Sequence, residues 1–271
     1  MIREALAGKR VAVTGATGFL GTALVERLLR AVPDCEVAVL VRPGRRTSAA
    51  DRVRREILRN DCFDRLRAEL GDRFDDDIAR RLLVMAGDVG KDGLGLDDEG
   101  RALLQSCPVV VHSAATVSFD SPLDAAVEIN LLGPSRVAAE LKAGTHLIAV
   151  STAYVAGSRR GPAPEALLPD TPFATEVDWR AEVDAARRAR ADLDAESRRP
   201  DRLTSFHKQA RSELGAAGTP LLADKTEKLR TEWVADQLVE AGRARAQALG
   251  WPDAYAYTKS LGERALLQNR G

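Results

Sequence analysis

The chain has 271 residues, of which 45% are hydrophobic, and its 40 basic side chains equal its 40 acidic ones. The length suits one large domain or two small ones, and the even charge excludes an overall field that would favour nucleic acid or an anionic membrane. Three scattered cysteines, three scattered histidines and the lack of a signal peptide or long apolar run predict a soluble cytoplasmic protein with no metal, disulfide framework or membrane span.

Short apolar strands alternate with helical patterns over the first 157 residues. The strand candidates, in chain order, are "RVAVTG", "EVAVLVR", "RLLVMAGDV", "PVVVHSAA" and "HLIAVSTAYV". A long charged helical stretch is predicted between the second and third, from about Ser48 to Leu70. Continuous apolar strands separated by helices are typical of a parallel sheet covered on both faces. The predicted fold class is therefore α/β, a Rossmann-type doubly wound parallel sheet with a long helical insertion.

The pattern becomes less regular after the fourth strand. Gly133–Pro134 interrupts the helical spacing between Asp124 and Lys142, which predicts a short helix, a break, and a new helix from Pro134. From Ser158 a proline-rich loop, "GSRRGPAPEALLPDTPF", leads into a stretch rich in Ala, Arg and Asp. That stretch predicts two or three amphipathic helices, interrupted near Pro200 and at "GAAGTP", before a compact helix begins at Ala254.

The segment "TGATGFLG" follows the first strand and opens a helix. Its glycines have the spacing GxxGxxG, which permits a tight turn, a close approach of the backbone to a pyrophosphate, and close packing of helix on strand. The helix N-terminus would supply N–H groups for the phosphates. An ordinary strand–helix turn is the alternative, but the position in the chain favours a dinucleotide site. The candidate cofactor-binding residues here are Thr14, Gly15, Thr17, Gly18, Phe19, Leu20 and Gly21.

The end of the second strand predicts which nicotinamide cofactor binds. An acid there would bind the ribose 2′-hydroxyl of NAD, but this chain has Arg42, followed by Arg45 and Arg46. A guanidinium group matches a phosphate bidentately. We therefore predict NADP(H) in preference to NAD, with Arg42 and Arg45 at the 2′-phosphate. The alternative is that these arginines belong to a solvated loop.

The segment "YAYTK" near residue 255 contains a candidate proton-donating pair. Tyr255 and Lys259 are four residues apart, the spacing that puts two side chains on one face of a helix. Tyr257 has only the two-residue spacing, which directs it to a different side.

With "TGATGFLG" and the YxxxK spacing, the chain resembles an extended short-chain dehydrogenase/reductase. The stretches "VHSAATVSFDSPLDAAVEIN", "VSTAYVAG" and "LVRPGRRTSAADRVRREI" are similar to the NADPH-binding domain of fatty acyl-CoA reductases, which is related to the thioester reductase domains of carboxylic acid reductases. The resemblance covers residues 8–157 and 251–268. Over 158–250 only the presence of a long insertion matches.

The resemblance implies roles for individual residues. Tyr255 would be the acid, and Lys259 would assist it electrostatically and bond the nicotinamide ribose. Thr152, or Ser151 if the register is shifted by one, would hold the substrate carbonyl oxygen, and Asn130 would order the lysine. Residues after the third and fourth strands would line the cofactor: Asp88, Val89, Ser113, Ala114 and Ala115. The plainer alternatives are a helix cap for Asn130, a turn residue for Asp88 and a core hydroxyl for Thr152.

The resemblance also implies a domain plan and a reaction. Residues 1–157 would form the NADP-binding core, 158–250 a helical insertion, and 251–271 a catalytic helix belonging to the core. Because the separation of Thr152 from Tyr255 far exceeds a usual connection and has helical periodicity, we predict that the insertion caps the active-site mouth; the alternative is a decoration packed away from the site, such as an oligomer contact. The reaction would be NADPH-dependent reduction of a fatty acyl-CoA or carrier-bound thioester to an aldehyde, with further reduction to the alcohol left open. The rival functions are a sugar-nucleotide epimerase or dehydratase and a nonenzymatic NADP-binding regulator. Peripheral membrane contact stays open.

Because the family pattern continues with a substrate segment beyond residue 271, we expect a fragment that binds cofactor but reduces little acyl-CoA alone.

Overall fold

The computed structural model describes residues 2–32, 34–166, 176–215 and 220–270. The predicted proline-rich loop lies partly outside them. Contacts between Cα atoms divide the chain into two compact units, each made of separate segments. The first unit comprises Met1–Ala115, Ile129–Ser151 and Ala265–Gly271. The second comprises Thr116–Glu128 and Thr152–Arg264.

Five parallel strands form the sheet of the first unit. They are β1 Arg10–Thr14, β2 Glu36–Val41, β3 Leu82–Ala86, β4 Val109–His112 and β5 His146–Ala149. Their order across the sheet is β3-β2-β1-β4-β5, and Thr14 aligns with Leu40 on one side and with His112 on the other. The strand order therefore reverses at β1, where a ligand is expected beyond the carboxyl ends of the strands. The predicted doubly wound α/β fold is confirmed.

The central strands β1 and β2 are buried on both faces of the sheet, and successive side chains of a strand point to opposite faces. Val11 and Val13 of β1 belong to one apolar cluster, whereas Ala12 of β1 and Val110 of β4 belong to another. Burying a valine or leucine side chain contributes about 1.5–3 kcal/mol. This two-sided burial explains why the strands read as unbroken apolar runs.

Twelve α-helices lie in the described part of the chain. They are α1 Ile2–Leu6, α2 Phe19–Ala31, α3 Ala49–Arg52, α4 Asp64–Leu70, α5 Phe74–Arg81, α6 Asp98–Gln105, α7 Leu123–Ala126, α8 Leu132–Ala139, α9 Trp179–Ser197, α10 Pro200–Leu214, α11 Leu222–Ala248 and α12 Ala254–Arg270. No helix in these described ranges is long and apolar enough to cross a membrane.

The stretch from Ser48 to Leu70 is helical in several short pieces: the π-helical turn Val53–Leu58 follows α3, and Asn60 then caps a short 3₁₀ turn that leads into α4. Asn competes well with helix continuation because its side chain bonds nearby backbone N–H groups. The predicted break at Gly133–Pro134 is wrong, because both residues lie in α8. The irregularity falls one turn earlier, at the π-helical Val127–Leu131.

The described part of the segment from residue 158 to residue 250 contains three helices, at the upper end of the predicted two or three; most of the predicted interruption at "GAAGTP" lies outside the described residues. Helix α11 packs against both α9 and α10. The two ends of the 158–250 segment meet where Ser158 N–H donates to Gly250 O at 2.8 Å. A Cβ on Gly157 would lie 2.5 Å from the same carbonyl oxygen, so a glycine is required at this close approach.

Candidate functional site

The turn after β1 depends on two glycines. Gly15 has φ +71°, and a Cβ there would lie 2.5 Å from the backbone nitrogen of Ala114. A Cβ on Gly21 would lie 2.2 Å from Gly15 O. Both distances are shorter than any real Cβ contact, so the backbone can fold this tightly only without side chains. The turn therefore leaves the start of α2 open to a ligand.

Helix α2 begins at Phe19 with features that suit a pyrophosphate. Gly18 donates its N–H to Gly15 O at 3.0 Å, and the first turn of α2 contains no acidic residue. The first N–H groups of a helix have no intrahelical partners and carry positive potential. The side chain of Phe19 is 99% exposed and that of Leu20 is 52% exposed. These features suit the binding of an anionic group at the start of α2.

The carboxyl end of β4 is tied directly to this turn. Thr14 Oγ1 and His112 Nδ1 share a hydrogen bond of 2.7 Å, and the Ser113 hydroxyl donates to Thr14 O at 2.7 Å. The Ala114 N–H donates to Thr14 Oγ1 at 3.3 Å, and half-buried Ala115 follows. The fold thus brings the candidates after β4 beside the glycine turn.

Arg42 follows β2 with an exposed side chain. Its guanidinium lies 3.9 Å from the Asp88 carboxylate, a distance that indicates a weak ion pair, and 63% of its side chain is exposed. Arg52 donates to Arg42 O at 2.6 Å and holds the backbone in place. Arg45 is exposed as well. These cations are therefore accessible to an anionic ligand.

Asp88 shapes the loop after β3. Its carboxylate accepts from Gly90 N–H at 2.9 Å, and its own N–H donates to Leu94 O at 2.7 Å. The next residue, Val89, is 7% exposed and packs near Gly133. Asp88 therefore has the turn role that the sequence analysis gave as an alternative.

Asn130 is completely buried within the π-helical turn Val127–Leu131. Wide turns of this kind occur often at functional sites. A buried amide needs hydrogen-bond partners. Asn130 therefore lies inside the structure rather than at an exposed helix cap.

In the second unit, Thr152 begins a turn that carries a candidate hydroxyl. It caps the 3₁₀ turn Ala153–Ala156, and its Oγ1 accepts from Tyr154 N–H at 3.2 Å. An accepting hydroxyl still has its own proton to donate. The neighbouring Ser151 Oγ is buried and has no hydrogen-bond partner among the described residues. Both hydroxyls therefore remain candidates.

Phe119 links this turn to Tyr255. Its ring lies edge-on to the ring of Tyr255, with centroids 5.7 Å apart, and edge-on to the ring of Tyr154 at 6.3 Å. Phe119 and Tyr154 are 53% and 57% exposed. Neither aromatic was selected from the sequence, although both lie inside the motifs "HSAATVSFD" and "STAYV". Such edge contacts fix ring orientation.

The YxxxK residues differ sharply in environment. Asp253 accepts from Ala256 N–H at 2.8 Å and starts α12. Tyr255 is half-buried, whereas Tyr257 is 1% exposed and donates its hydroxyl proton to Glu182 at 2.6 Å. Lys259 is 5% exposed, and burial lowers the pKa of its ammonium group. Of the two tyrosines, Tyr255 is thus the more accessible one.

The chain matches known proteins along nearly all of its length. A family model of NAD-binding type, described as Male sterility protein, matches residues 13–271. "Fatty acyl-CoA reductase 8" of Arabidopsis thaliana is 32% identical over 96% of this chain and 49% of its own length. "Alcohol-forming fatty acyl-CoA reductase" of Simmondsia chinensis is 30% identical over 100% of this chain and 50% of its own.

Solved structures show a weaker likeness. The terminal R domain from the myxalamid PKS-NRPS biosynthetic pathway is 27% identical, with a TM-score of 0.47 over 66% of this chain and 44% of that one. The chain spans about half the length of the curated relatives it matches.

Proposed function

The chain belongs to the NAD-binding family described as Male sterility protein, and from this premise we propose that it is the cofactor-binding and catalytic part of an NADPH-dependent reductase of fatty acyl thioesters. A nicotinamide dinucleotide is the cofactor class that this family binds. Bound NADPH would supply the hydride for an acyl carbonyl carbon. The single observation that carries the proposal is the contrast within α12: Tyr255 is half-open beside Phe119, while Tyr257 is buried and engaged.

The chain's own residues would orient the acyl group and supply a proton. We assign Tyr255 as the donor that protonates the carbonyl oxygen as negative charge develops there. Thr152 would donate a second hydrogen bond to the same oxygen, and its hydroxyl proton is not consumed by the bond it accepts from Tyr154. Loss of the thiol from the resulting hemithioacetal would leave an aldehyde.

Lys259 and Asn130 would support this donor. A buried ammonium is costly, which favours a role next to developing negative charge, and Lys259 is one helical turn from Tyr255. Lys259 would stabilise the phenolate formed when Tyr255 gives up its proton and would bond the nicotinamide ribose. Asn130, completely buried, would order the lysine.

NADPH rather than NADH is proposed because exposed cations follow β2. Arg42 and Arg45 would bind the 2′-phosphate. The Asp88 carboxylate lies 3.9 Å from the Arg42 guanidinium and leaves the guanidinium fork available. Val89, Ser113, Ala114 and Ala115 would line the cofactor.

The helices α9–α11 are proposed to cap the acyl site. Support comes from contacts inside the second unit: Arg190 of α9 pairs with Asp124 at 3.3 Å, and Arg243 of α11 pairs with Asp120 at 3.0 Å. Asp120 directly follows Phe119 in sequence. These helices therefore contact the segment that carries the aromatic side chain beside Tyr255.

The test is NADPH consumption by the natural protein that contains this sequence. A long-chain acyl-CoA should cause loss of the reduced-nicotinamide absorbance and release of free thiol in equal amounts. Tyr255→Phe should lose this reaction, while a UDP-sugar should give none. Turnover of the UDP-sugar, or NADPH binding without any thiol release from acyl-CoA or an acyl-carrier thioester, would refute the proposal.

A further inference from the structure

The buried phenol of Tyr257 has a specific partner far away in sequence. Its hydroxyl donates to Glu182 Oε2 at 2.6 Å, across 75 residues. Glu182 lies in the first turn of α9 and is 8% exposed. The YxxxK helix is thus joined to the long segment between residues 158 and 250 by a buried charge-assisted hydrogen bond, one of the stronger kinds of polar contact.

Arg245 of α11 holds Glu182 in place. Arg245 Nε donates to Glu182 Oε2 at 3.0 Å, and its Nη2 donates to Oε1. The guanidinium keeps the pKa of Glu182 below its usual value, so the carboxylate stays ionised as an acceptor. Burial, followed by the Glu182 carboxylate, raises the pKa of Tyr257 well above the usual value. The phenol of Tyr257 therefore remains a hydrogen-bond donor and is unsuited to act as an acid or base.

Tyr257 also connects to the turn that Thr152 caps. The Trp251 ring packs against the Tyr257 ring with centroids 5.8 Å apart. Trp251 Nε1–H donates to Val155 O at 3.0 Å, and Val155 lies in the turn Ala153–Ala156. Tyr257 thus lies in the same helix as Tyr255 and, through Trp251, is connected to the turn that Thr152 caps.

We propose that Glu182 is a positioning residue for Tyr255: by anchoring Tyr257 it fixes the rotation of the first turns of α12 and with it the direction of the Tyr255 phenol. This inference rests on the proposed function for the role of Tyr255. Residues two apart on a helix point to nearly opposite sides, so holding Tyr257 inward presents Tyr255 on the other side. Misplacing a catalytic group by about 1 Å can cost roughly a hundredfold in rate.

A second ion-pair network in the same unit, formed around the buried Arg230, offers a control. Arg230 of α11 is 6% exposed and bonds Glu227, Asp194 and Ser197 at 2.6–2.7 Å. Its described partners all lie in α9 and α11. Removal of the Arg230 guanidinium should therefore destabilise the packing of α9 on α11 without affecting the contacts of Tyr257.

The experiment compares Glu182→Ala, Glu182→Gln and Tyr257→Phe with Arg230→Met in the natural protein. Two quantities are measured: amide hydrogen exchange over residues 257–262, and kcat with KM for NADPH and acyl-CoA. Glu182→Ala and Tyr257→Phe should lower kcat roughly tenfold, with KM for NADPH changed by less than about twofold. Exchange over 257–262 should speed up by at least about tenfold. Glu182→Gln retains an acceptor for the hydroxyl and should recover most of the kcat lost in Glu182→Ala.

Arg230→Met should lower the unfolding temperature yet leave kcat and exchange over 257–262 unchanged. The inference is overturned if Arg230→Met lowers kcat as much as Tyr257→Phe does, or if Tyr257→Phe alters neither exchange nor kcat. Tyr257→Phe keeps the ring packed against Trp251, so this variant still tests the inference if Glu182→Ala does not fold. If the unsubstituted protein reduces no acyl thioester, the proposed function fails, and hydrogen exchange still decides whether Glu182 fixes this part of α12.

Discussion

The ring of Phe119 meets the ring of Tyr255 edge-on, with 5.7 Å between centroids and 85° between planes. Edge-to-face packing is worth about 0.5–1.5 kcal/mol beyond area burial, which is enough to favour one orientation of a half-buried tyrosine. The hydroxyl group of Tyr255 is not needed for this ring contact. A change that removes only the oxygen therefore separates chemistry from packing.

Tyr255→Phe should lower turnover of acyl-CoA by about 10²–10⁴-fold, the usual contribution of a general acid, and should leave the NADPH dissociation constant unchanged. Steady-state rates and a fluorescence titration measure the two quantities. Tyr154→Phe is the control, because Tyr154 also packs edge-on to Phe119. An equal loss in Tyr154→Phe, or a larger one in Tyr257→Phe, would contradict the assignment.

Arg42→Ala should weaken NADPH binding by about 1–3 kcal/mol, as expected for loss of a charge-assisted contact, and should barely change NADH binding. Calorimetric titration with both cofactors gives the comparison. Arg54→Ala is the control, since Arg54 is an exposed arginine of the same region, 69% exposed and 3.6 Å from Asp51. Equal losses for NADPH and NADH would remove Arg42 from the 2′-phosphate.

Gly21→Ala should destabilise the first unit by about 1–3 kcal/mol, the usual cost of overpacking, and should abolish cofactor binding. The reason is that a Cβ would lie 2.2 Å from Gly15 O, where only backbone could move. Gly44→Ala is the control, because a Cβ there would lie an ordinary 3.5 Å from Thr47. Thermal unfolding and NADPH titration test both variants, and normal cofactor affinity in Gly21→Ala would show that the turn is not the phosphate site.

Glu182→Gln should make stability less dependent on pH in the acid range. Arg245 holds the folded pKa of Glu182 below its ordinary value of 4.5, so the contribution of Glu182 is complete above about pH 4.5 and is lost as pH falls through the folded pKa. The difference in unfolding temperature between the two proteins should therefore shrink between about pH 6 and about pH 3. A difference that stays constant over this range would mean that the ionised carboxylate does not stabilise the fold.

Much of the first unit could be read from sequence because its signals are local. The central strands appear as apolar runs, since a parallel strand covered on both faces buries nearly all of its side chains. The glycine turn could likewise be predicted, because a Cβ on Gly15 would lie 2.5 Å from the backbone nitrogen of Ala114, so that only glycine fits there. The four-residue spacing of Tyr255 and Lys259 needed only the helical period.

Another local signal in the sequence gave a wrong prediction. Gly133–Pro134 suggested a break, yet both residues lie in α8 while the preceding residues form a π-helical turn. Propensity sets such choices within about 1 kcal/mol per residue, and packing overrides it.

The second unit depended on tertiary structure. Sequence spacing predicted that Tyr257 differs from Tyr255 in direction, but nothing in the sequence identifies Glu182, 75 residues earlier, as its partner. Phe119 belongs to a segment grouped with Thr152–Arg264 rather than with the strand it follows. Periodicity records which face of an element is buried, but not which distant side chain covers that face. Those pairings arise only when the helices pack, because a buried phenol or carboxylate must find its partner across the chain or bear the cost of desolvation.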